Sequence, residues 1–167
     1  MVRRFFVCLL LCLAAGAQQL PFRIFTTQDG LVRNWVVKIY RDSKIYLWFC
    51  TVEGISLFDG GRFTNYGTRD GLPARAVADM LETRGGDYWF ATAGGGLARF
   101  RPGRRDSPRF ESVRLGDGLR SNTVNALLED HEGTIWCGTD GGLFRFRPLQ
   151  RALARSWWRW TRPAGLK

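Results

Sequence analysis

Along residues 110–148 apolar and polar positions fall into short runs, and glycine-bearing turns separate the runs. Val124 to Asp130 is the ambiguous one. Val124, Leu127 and Leu128 fit the i, i+3, i+4 spacing of a helix, but the run is too short for a helix of ordinary length. Turn signals also bound it on both sides, so it reads as a strand. Asp130-His131-Glu132-Gly133 follows as a tight turn, with glycine where a short hairpin loop needs one. Thr134 to Thr139 is a second strand centred on Trp136, Asp140-Gly141-Gly142 a second hairpin turn, and Leu143 to Phe146 the returning strand. Upstream, Asp117 to Asn122 carries turn chemistry, with Gly118 free to take a positive φ and Asp117 and Asn122 able to bond nearby backbone.

This pattern occurs three times. Asp29-Gly30-Leu31, Asp70-Gly71-Leu72 and Asp117-Gly118-Leu119 each precede a tryptophan by 19 positions, Trp48, Trp89 and Trp136. Each triplet follows a phenylalanine by seven, Phe22, Phe63 and Phe110, and each unit closes on Phe58, Phe100 or Phe146. The periods are 41 and then 47 residues (70−29 and 117−70), in the range that marks repeat architectures. An extra glycine at Gly94-Gly95-Gly96 and a longer loop, Pro102 to Pro108, account for the difference. Ile45 stands where the third unit has Gly133, so the first hairpin of the first unit is expected to turn differently. After Pro148, Trp157, Trp160 and Gly165-Leu166 fall on the positions of Phe110, Tyr66 and Gly71-Leu72, with Ala164 in place of the aspartate. The tail thus reads as the start of a fourth unit in a truncated chain.

Three strands per unit, plus a fourth from around the phenylalanine that opens the next, make one propeller blade. The expected fold is all-β: a partial β-propeller of about three four-stranded blades plus the start of a fourth, an open arc rather than a closed ring. Its parts are a signal peptide at 1–17, repeats at 22–62, 63–109 and 110–148 within a region 18–148, and a basic loop with the truncated fourth repeat at 149–167. Tryptophan, phenylalanine and tyrosine each bury roughly 150–250 Å², and a lone sheet leaves them wet, so neighbouring blades must cover them. Trp48, Trp89 and Trp136 are expected in equivalent, largely buried places on second strands. Both ends of the arc then expose aromatic faces, and the chain is expected to be marginally stable and to self-associate.

The N-terminus changes the compartment. Arg3 and Arg4, an apolar run from Phe5 to Leu13 and Ala15-Gly16-Ala17 form a secretory signal, with cleavage expected after Ala17. The alternative, a membrane anchor, needs about 20 apolar residues, more than this run has. Export to the periplasm or envelope of a bacterium leaves Cys50 and Cys137, in different repeats, as buried free thiols. The formal charge of +10 shrinks once the signal and tail are set aside: seven basic residues lie there, leaving +3 for residues 18–148. No nucleic-acid partner is expected.

Candidate chemistry is sparse. Gly94-Gly95-Gly96 lacks the lysine and helix of a phosphate loop and reads as a hairpin. His131, the sole histidine, lies in a turn beside Glu129, Asp130 and Glu132. Asp29, Asp70 and Asp117 recur in every copy, as turn-capping residues do and single catalytic groups do not. Arg99, Arg101, Arg104, Arg105 and Arg109 can meet an acidic sugar but read as a solvated loop. No catalytic residue, cofactor or metal site is assigned, and the ligand-binding residues are left unknown.

Phe63, Tyr66 and Asp70 to Leu72, with Val124, Glu129, Asp130, Gly133, Ile135, Trp136, Gly138, Thr139, Gly142, Leu143, Arg145 and Phe146, resemble the two-component regulator propeller repeat. The resemblance covers residues 22–148. It implies a periplasmic sensor region whose repeats close into seven-bladed rings, followed by a further β-domain, a membrane helix and a cytoplasmic histidine kinase or diguanylate cyclase module. Carbohydrate fragments are the ligands it suggests. This chain would then be a non-catalytic N-terminal fragment of a ligand-sensing propeller, missing its downstream blades, membrane helix and signalling module. Two other readings stand beside it, the leading part of an exported propeller hydrolase or lyase and a protein-binding propeller scaffold.

Overall fold

The computed structural model describes residues 20–100 and 109–148. The expected signal peptide at 1–17, Arg101, Arg104 and Arg105, and the tail 149–167 lie outside them. Strands β1 (Val36–Arg41), β2 (Leu47–Thr51), β3 (Gly54–Phe58) and β4 (Phe63–Tyr66) form one antiparallel sheet in chain order. β5 (Val77–Glu82), β6 (Tyr88–Thr92), β7 (Gly96–Phe100) and β8 (Phe110–Val113) form the second. After a one-turn helix α1 (Leu119–Asn122), β9 (Val124–Glu129), β10 (Ile135–Thr139) and β11 (Gly142–Phe146) form a three-stranded third. A partial propeller of three sheets, without ring closure, is the result. The first strands β1, β5 and β9 neighbour one another across the blade boundaries. Each carries an irregularity of register near its start, at Val36/Lys38, Val77/Asp79 and opposite Gly138/Thr139. Such bulges bend and twist a strand locally.

Blade and sequence repeat are one strand out of phase. Phe63 pairs with Phe58 and Phe110 with Phe100, so the phenylalanine that opens a repeat supplies the outer strand of the blade before it. Phe22, the equivalent residue of the first repeat, is 84% exposed and belongs to no strand. The position equivalent to Phe63 and Phe110 in the next repeat is Trp157, which lies outside the described residues.

Alternation along each strand sends one set of side chains forward and one back. Tyr40, Trp48 and Leu57 form a cross-strand row on the front of the first sheet; Leu81, Trp89 and Arg99, then Leu128, Trp136 and Arg145, repeat the row on the next two. Trp48 packs between Tyr66 and, from the second blade, Tyr88, Phe90 and Phe100, with ring centroids 5.5–6.1 Å apart. Trp89 meets Phe146 of the third at 5.1 Å. Two apolar cores result, one per blade boundary. Every residue of β6, in the flanked blade, is buried. Trp136 corrects the sequence expectation: it occupies the equivalent strand position but stays half-buried, because no described blade covers the third sheet's front.

The first hairpin turns correct a second expectation. Ile45, at φ 70°, takes the same left-handed backbone as Gly86 at 80° and Gly133 at 79°. The hydrogen bonds match too: Asp42 N–H to Tyr46 O, Thr83 to Asp87 and Asp130 to Thr134, with Ile45, Gly86 and Gly133 each donating to the residue three before. The first unit therefore turns like the others despite its β-branched residue. Asp42 explains why, since its buried carboxylate accepts from Lys44 N, Tyr46 N and Trp48 Nε1, and from Tyr88 Oη across the boundary. Those bonds hold the turn against the strain at Ile45. Gly118 is a third departure. It is extended at φ −91°, whereas Gly30 and Gly71 cap one-turn 3-10 helices at φ 105° and 98°; α1 replaces that turn in the third unit.

Cys50 and Cys137 are free and buried in different cores, and burial pushes both thiols up to about 12.

Two stability outcomes are expected in thermal melts. Ile45→Gly relieves a left-handed β-branched residue and should stabilise by about 0.5–1 kcal/mol, after the greater unfolded-state freedom of glycine is allowed for. Trp89→Ala should cost about 3–5 kcal/mol and Trp136→Ala clearly less, because only the former empties a covered site.

Candidate functional site

Connections between sheets and the second hairpin of each blade emerge on one face. There the second hairpins share a pin: the Thr51, Thr92 and Thr139 hydroxyls donate to the carbonyls of Gly54, Gly96 and Gly142 at 2.7–2.9 Å. A cleft of about 450 Å³ opens on this face, lined by Val32, Glu53, Asn65, Tyr66, Gly67, Thr68, Arg69, Asp70 and Arg75.

Its position follows from a break in the repeat. Asn34, Arg75 and Asn122 are equivalent (75−34 is 41 and 122−75 is 47). In the first and third units the asparagine ties down its own loop. Asn34 Oδ1 accepts from Thr27 N at 2.8 Å, and Asn122 Oδ1 from Leu115 N at 2.9 Å. Asn122 also donates to the carbonyls of Gly116 and Gly118 at 2.7 Å, and is fully buried. Thr68 is the equivalent of Thr27 and Leu115, but Arg75 has no acceptor to offer its N–H. The arginine is exposed and lacks a hydrogen-bond or ion-pair partner among the described residues. The loop from Gly67 to Ala76 thus loses its pin, and the cleft sits beside it.

Other groups around the cleft are engaged. Arg33 pairs with Glu53 at 3.5 Å, and Asp70 Oδ2 accepts from Gly67 N at 2.8 Å. Tyr66 closes the wall; the Arg109 guanidinium lies 5.7 Å from its ring centroid, and burial raises its phenol, which stays protonated. A cleft with Arg75 uncompensated and both carboxylates occupied suits an anionic or polyhydroxylated ligand. It contains no nucleophile poised on a base.

The residues singled out from sequence are scattered. Asp29 caps its turn by accepting from Thr26 N at 2.8 Å, which holds its carboxyl below 3.8. Asp70 likewise caps its turn by accepting from Gly67 N and lines the cleft, whereas Asp117 lies exposed before α1. Gly94-Gly95-Gly96 is the hairpin between β6 and β7; a Cβ on Gly96 would stand 2.4 Å from Val113 O. His131, with its side chain 90% exposed, is a turn residue whose carbonyl accepts from Arg84. Arg99 is not solvated loop: it bonds Asp87 at 2.8 Å and lies over Trp89. Glu129 accepts from Arg84 N, and Glu132 pairs with Arg147. Asp130 accepts from Trp136 Nε1, which, with the Thr134 and Glu132 amides, holds its carboxyl below 3.8. Sequence reasoning missed Arg75 and the threonine pins, although both recur or fail to recur at the repeat spacing. Among the described residues no three His, Cys, Asp or Glu side chains could hold a metal ion, and no helix is long and apolar enough to cross a membrane.

The fold defines a partial propeller module with a charged cleft on its loop face, and known proteins resemble it in sequence and in structure. Residues 118–141, from the entry to α1 through β10, match the two component regulator propeller family. The matched segment lies within the third of the three units read along the chain. Two solved structures from B. thetaiotaomicron are similar in sequence and fold. The extracellular domain assigned to the hybrid two component system BT3049 is 28% identical over 71% of this chain, with a TM-score of 0.59. That of BT4673, assigned to a one component system, is 26% identical over 78%, also at 0.59. The chain spans only 16% and 17% of those two proteins. PorZ, a surface component of the type-IX secretion system of Porphyromonas gingivalis, shares the fold at 20% identity and a TM-score of 0.57, covering 76% of this chain and 20% of its own. No curated protein sequence matches.

Restoring the missing pin tests the account of the cleft. Arg75→Asn should let residue 75 accept from Thr68 N, stabilise the protein by about 0.5–1.5 kcal/mol and slow exchange of the Thr68 amide. Unchanged exchange at Thr68 would mean that the cleft has another cause.

Proposed function

We propose that this chain is the leading part of an exported, non-catalytic propeller that senses a ligand for a two-component signalling protein. The observation that carries the reading is the joint one: a unit spaced regularly along the chain whose third copy matches the two component regulator propeller family, and likeness at 28% identity to an extracellular domain of such a system. The charged cleft on the loop face is the ligand contact supplied by these blades. Its chemistry favours an acidic carbohydrate fragment, with Arg75 meeting the carboxylate or sulfate and Tyr66 and Asn65 flanking the ring. A ring site draws on loops from several blades, so three blades give weak binding.

Two measurements check this. Mass spectrometry of envelope-fraction protein should find Gln18 as the mature N-terminus; an intact Met1 species in cytosol would sink the export reading. Titration with uronic-acid oligosaccharides, followed by chemical-shift changes at Thr68 and Arg75, should show millimolar-range binding that Arg75→Asn abolishes and neutral oligosaccharides do not reproduce. Equal response to neutral and acidic probes, or none to either, would overturn the ligand class.

A further inference from the structure

Asp-Gly occurs five times in the chain, at Asp29, Asp59, Asp70, Asp117 and Asp140. An aspartate before glycine can react with its own backbone. The glycine nitrogen, shielded by no Cβ, attacks the aspartate Cγ and closes a five-membered imide. A folded chain resists this in two ways. It ties the carboxylate to other donors, and it spends the glycine N–H in a turn.

Four of the five sites are held like this. Asp29 Oδ2 accepts from Thr26 N and Asp70 Oδ2 from Gly67 N, each at 2.8 Å. The amides that follow, Gly30 N and Gly71 N, donate to the carbonyls of Thr27 and Thr68. Asp59 Oδ1 accepts from Gly61 N and Arg62 N, both at 2.9 Å. Asp140 Oδ1 accepts from Asn125 Nδ2 at 2.8 Å, and Gly141 N donates to Thr139 Oγ1. Asp117 is the exception. It and Gly118 are both exposed, and among the described residues neither its carboxylate nor the Gly118 N–H has a hydrogen-bond partner. The change of turn is the cause. With Gly118 extended at φ −91° and α1 starting at Leu119, the self-capping turn of the first two units does not form.

We propose that Asp117-Gly118 is a site of spontaneous covalent modification, at which the main chain reroutes through the aspartate side chain to give isoaspartate. Gly118 N bonds to Asp117 Cγ, the Cγ–OH bond of the protonated carboxyl breaks, and the hydroxyl leaves with the amide proton as water. Water then adds to the Asp117 main-chain carbonyl and breaks its bond to Gly118 N. The chain now runs through Cγ, the old main-chain carbonyl is a free carboxylate, and the mass is unchanged. The product has one more methylene in the main chain between Gly116 and Gly118. Asn122 Nδ2 donates to the carbonyls of both, at 2.7 Å each, from a fully buried side chain. Lengthening that span pulls the two acceptors off a fixed donor, so the loop from Arg114 to Asn122 loses its pin. Arg75 removes the pin from the second loop by sequence; isoaspartate removes it from the third by chemistry. This inference rests on neither the sensing role nor the cleft.

The purified full chain, kept folded at mildly acidic pH and sampled over time, tests the site by peptide mapping. Trypsin releases residues 115–120, bounded by Arg114 and Arg120. That peptide should split into two peaks of equal mass, the new one resistant to a protease that cuts before aspartate. Peptides carrying the other four Asp-Gly pairs should stay single, and should join the reaction once the chain is unfolded in urea. Apart from its chain neighbours, Gly118 has no heavy atom within 4 Å of where a Cβ would stand, so Gly118→Ala keeps the fold and shields the nitrogen. The second peak should be lost in that variant. Exchange of the Leu115 amide, which donates to Asn122 Oδ1, should quicken in the modified protein. A single peak for residues 115–120, or conversion of all five sites alike in the folded chain, would overturn the assignment. Leu115 exchange that does not change with modification would overturn its effect on the loop.

Discussion

A tryptophan at the centre of each second strand makes three small sheets one body. Hydrogen bonding within a sheet is complete without its neighbours, so the ladders do nothing to hold blade to blade. What joins them is apolar area. Trp48 and Trp89 reach across to the next blade's aromatics and leave the first strands side by side behind them. Everything else follows the order of that stack: the central strand of the flanked blade is buried throughout, and each outer sheet has one face that no other described sheet covers.

Around this apolar layer runs a polar one that fixes orientation. Asp42 gathers two turn amides, the indole of its own blade and the phenol of the next, so a single carboxylate sets turn, tryptophan rotamer and blade angle together. Asp130 repeats the turn and indole bonds, while Thr83 stands at that position in the middle blade and bonds Asp87 instead. The side chain can be relaxed there because both faces of the blade are already packed. Lys38 and Asp79, 2.9 Å apart, join neighbouring first strands, and Asp79 passes the link on to Leu127 N. A group lost at one boundary is tolerated where its neighbours are buried, and opens a cleft where, as at Arg75, they are loops.

Strands and their order were legible because alternation and turn chemistry are local, and three copies allow each to check the others. Val124 to Glu129, helical by spacing alone, is a strand because its register with β10 buries Val124 and its bulge accounts for the broken alternation. Ile45 was misread because a turn rule weighs only the residue in the turn, whereas the Asp42 carboxylate beneath it determines the backbone. The burial of Trp136 was not legible at all, since it belongs to whatever lies against the blade. The cleft stayed hidden for a simpler reason: an arginine in a polar loop draws no notice until it is set beside Asn34 and Asn122.

The one-strand offset between repeat and blade bears on how the chain is made. During synthesis the first three strands of a blade emerge with its own repeat, but the outer strand belongs to the next, so a sheet stays three-stranded until translation has entered the following unit. Each edge is then filled by the segment that also begins the next blade's connection, and a nascent blade is never released before its successor has started. Short-range pairing of this kind keeps contact order low for a β fold and limits the time an open edge spends in search of a wrong partner. The same offset lets a whole repeat be gained or lost during evolution without breaking a ladder, since the incoming phenylalanine strand fits the edge that the departing one leaves.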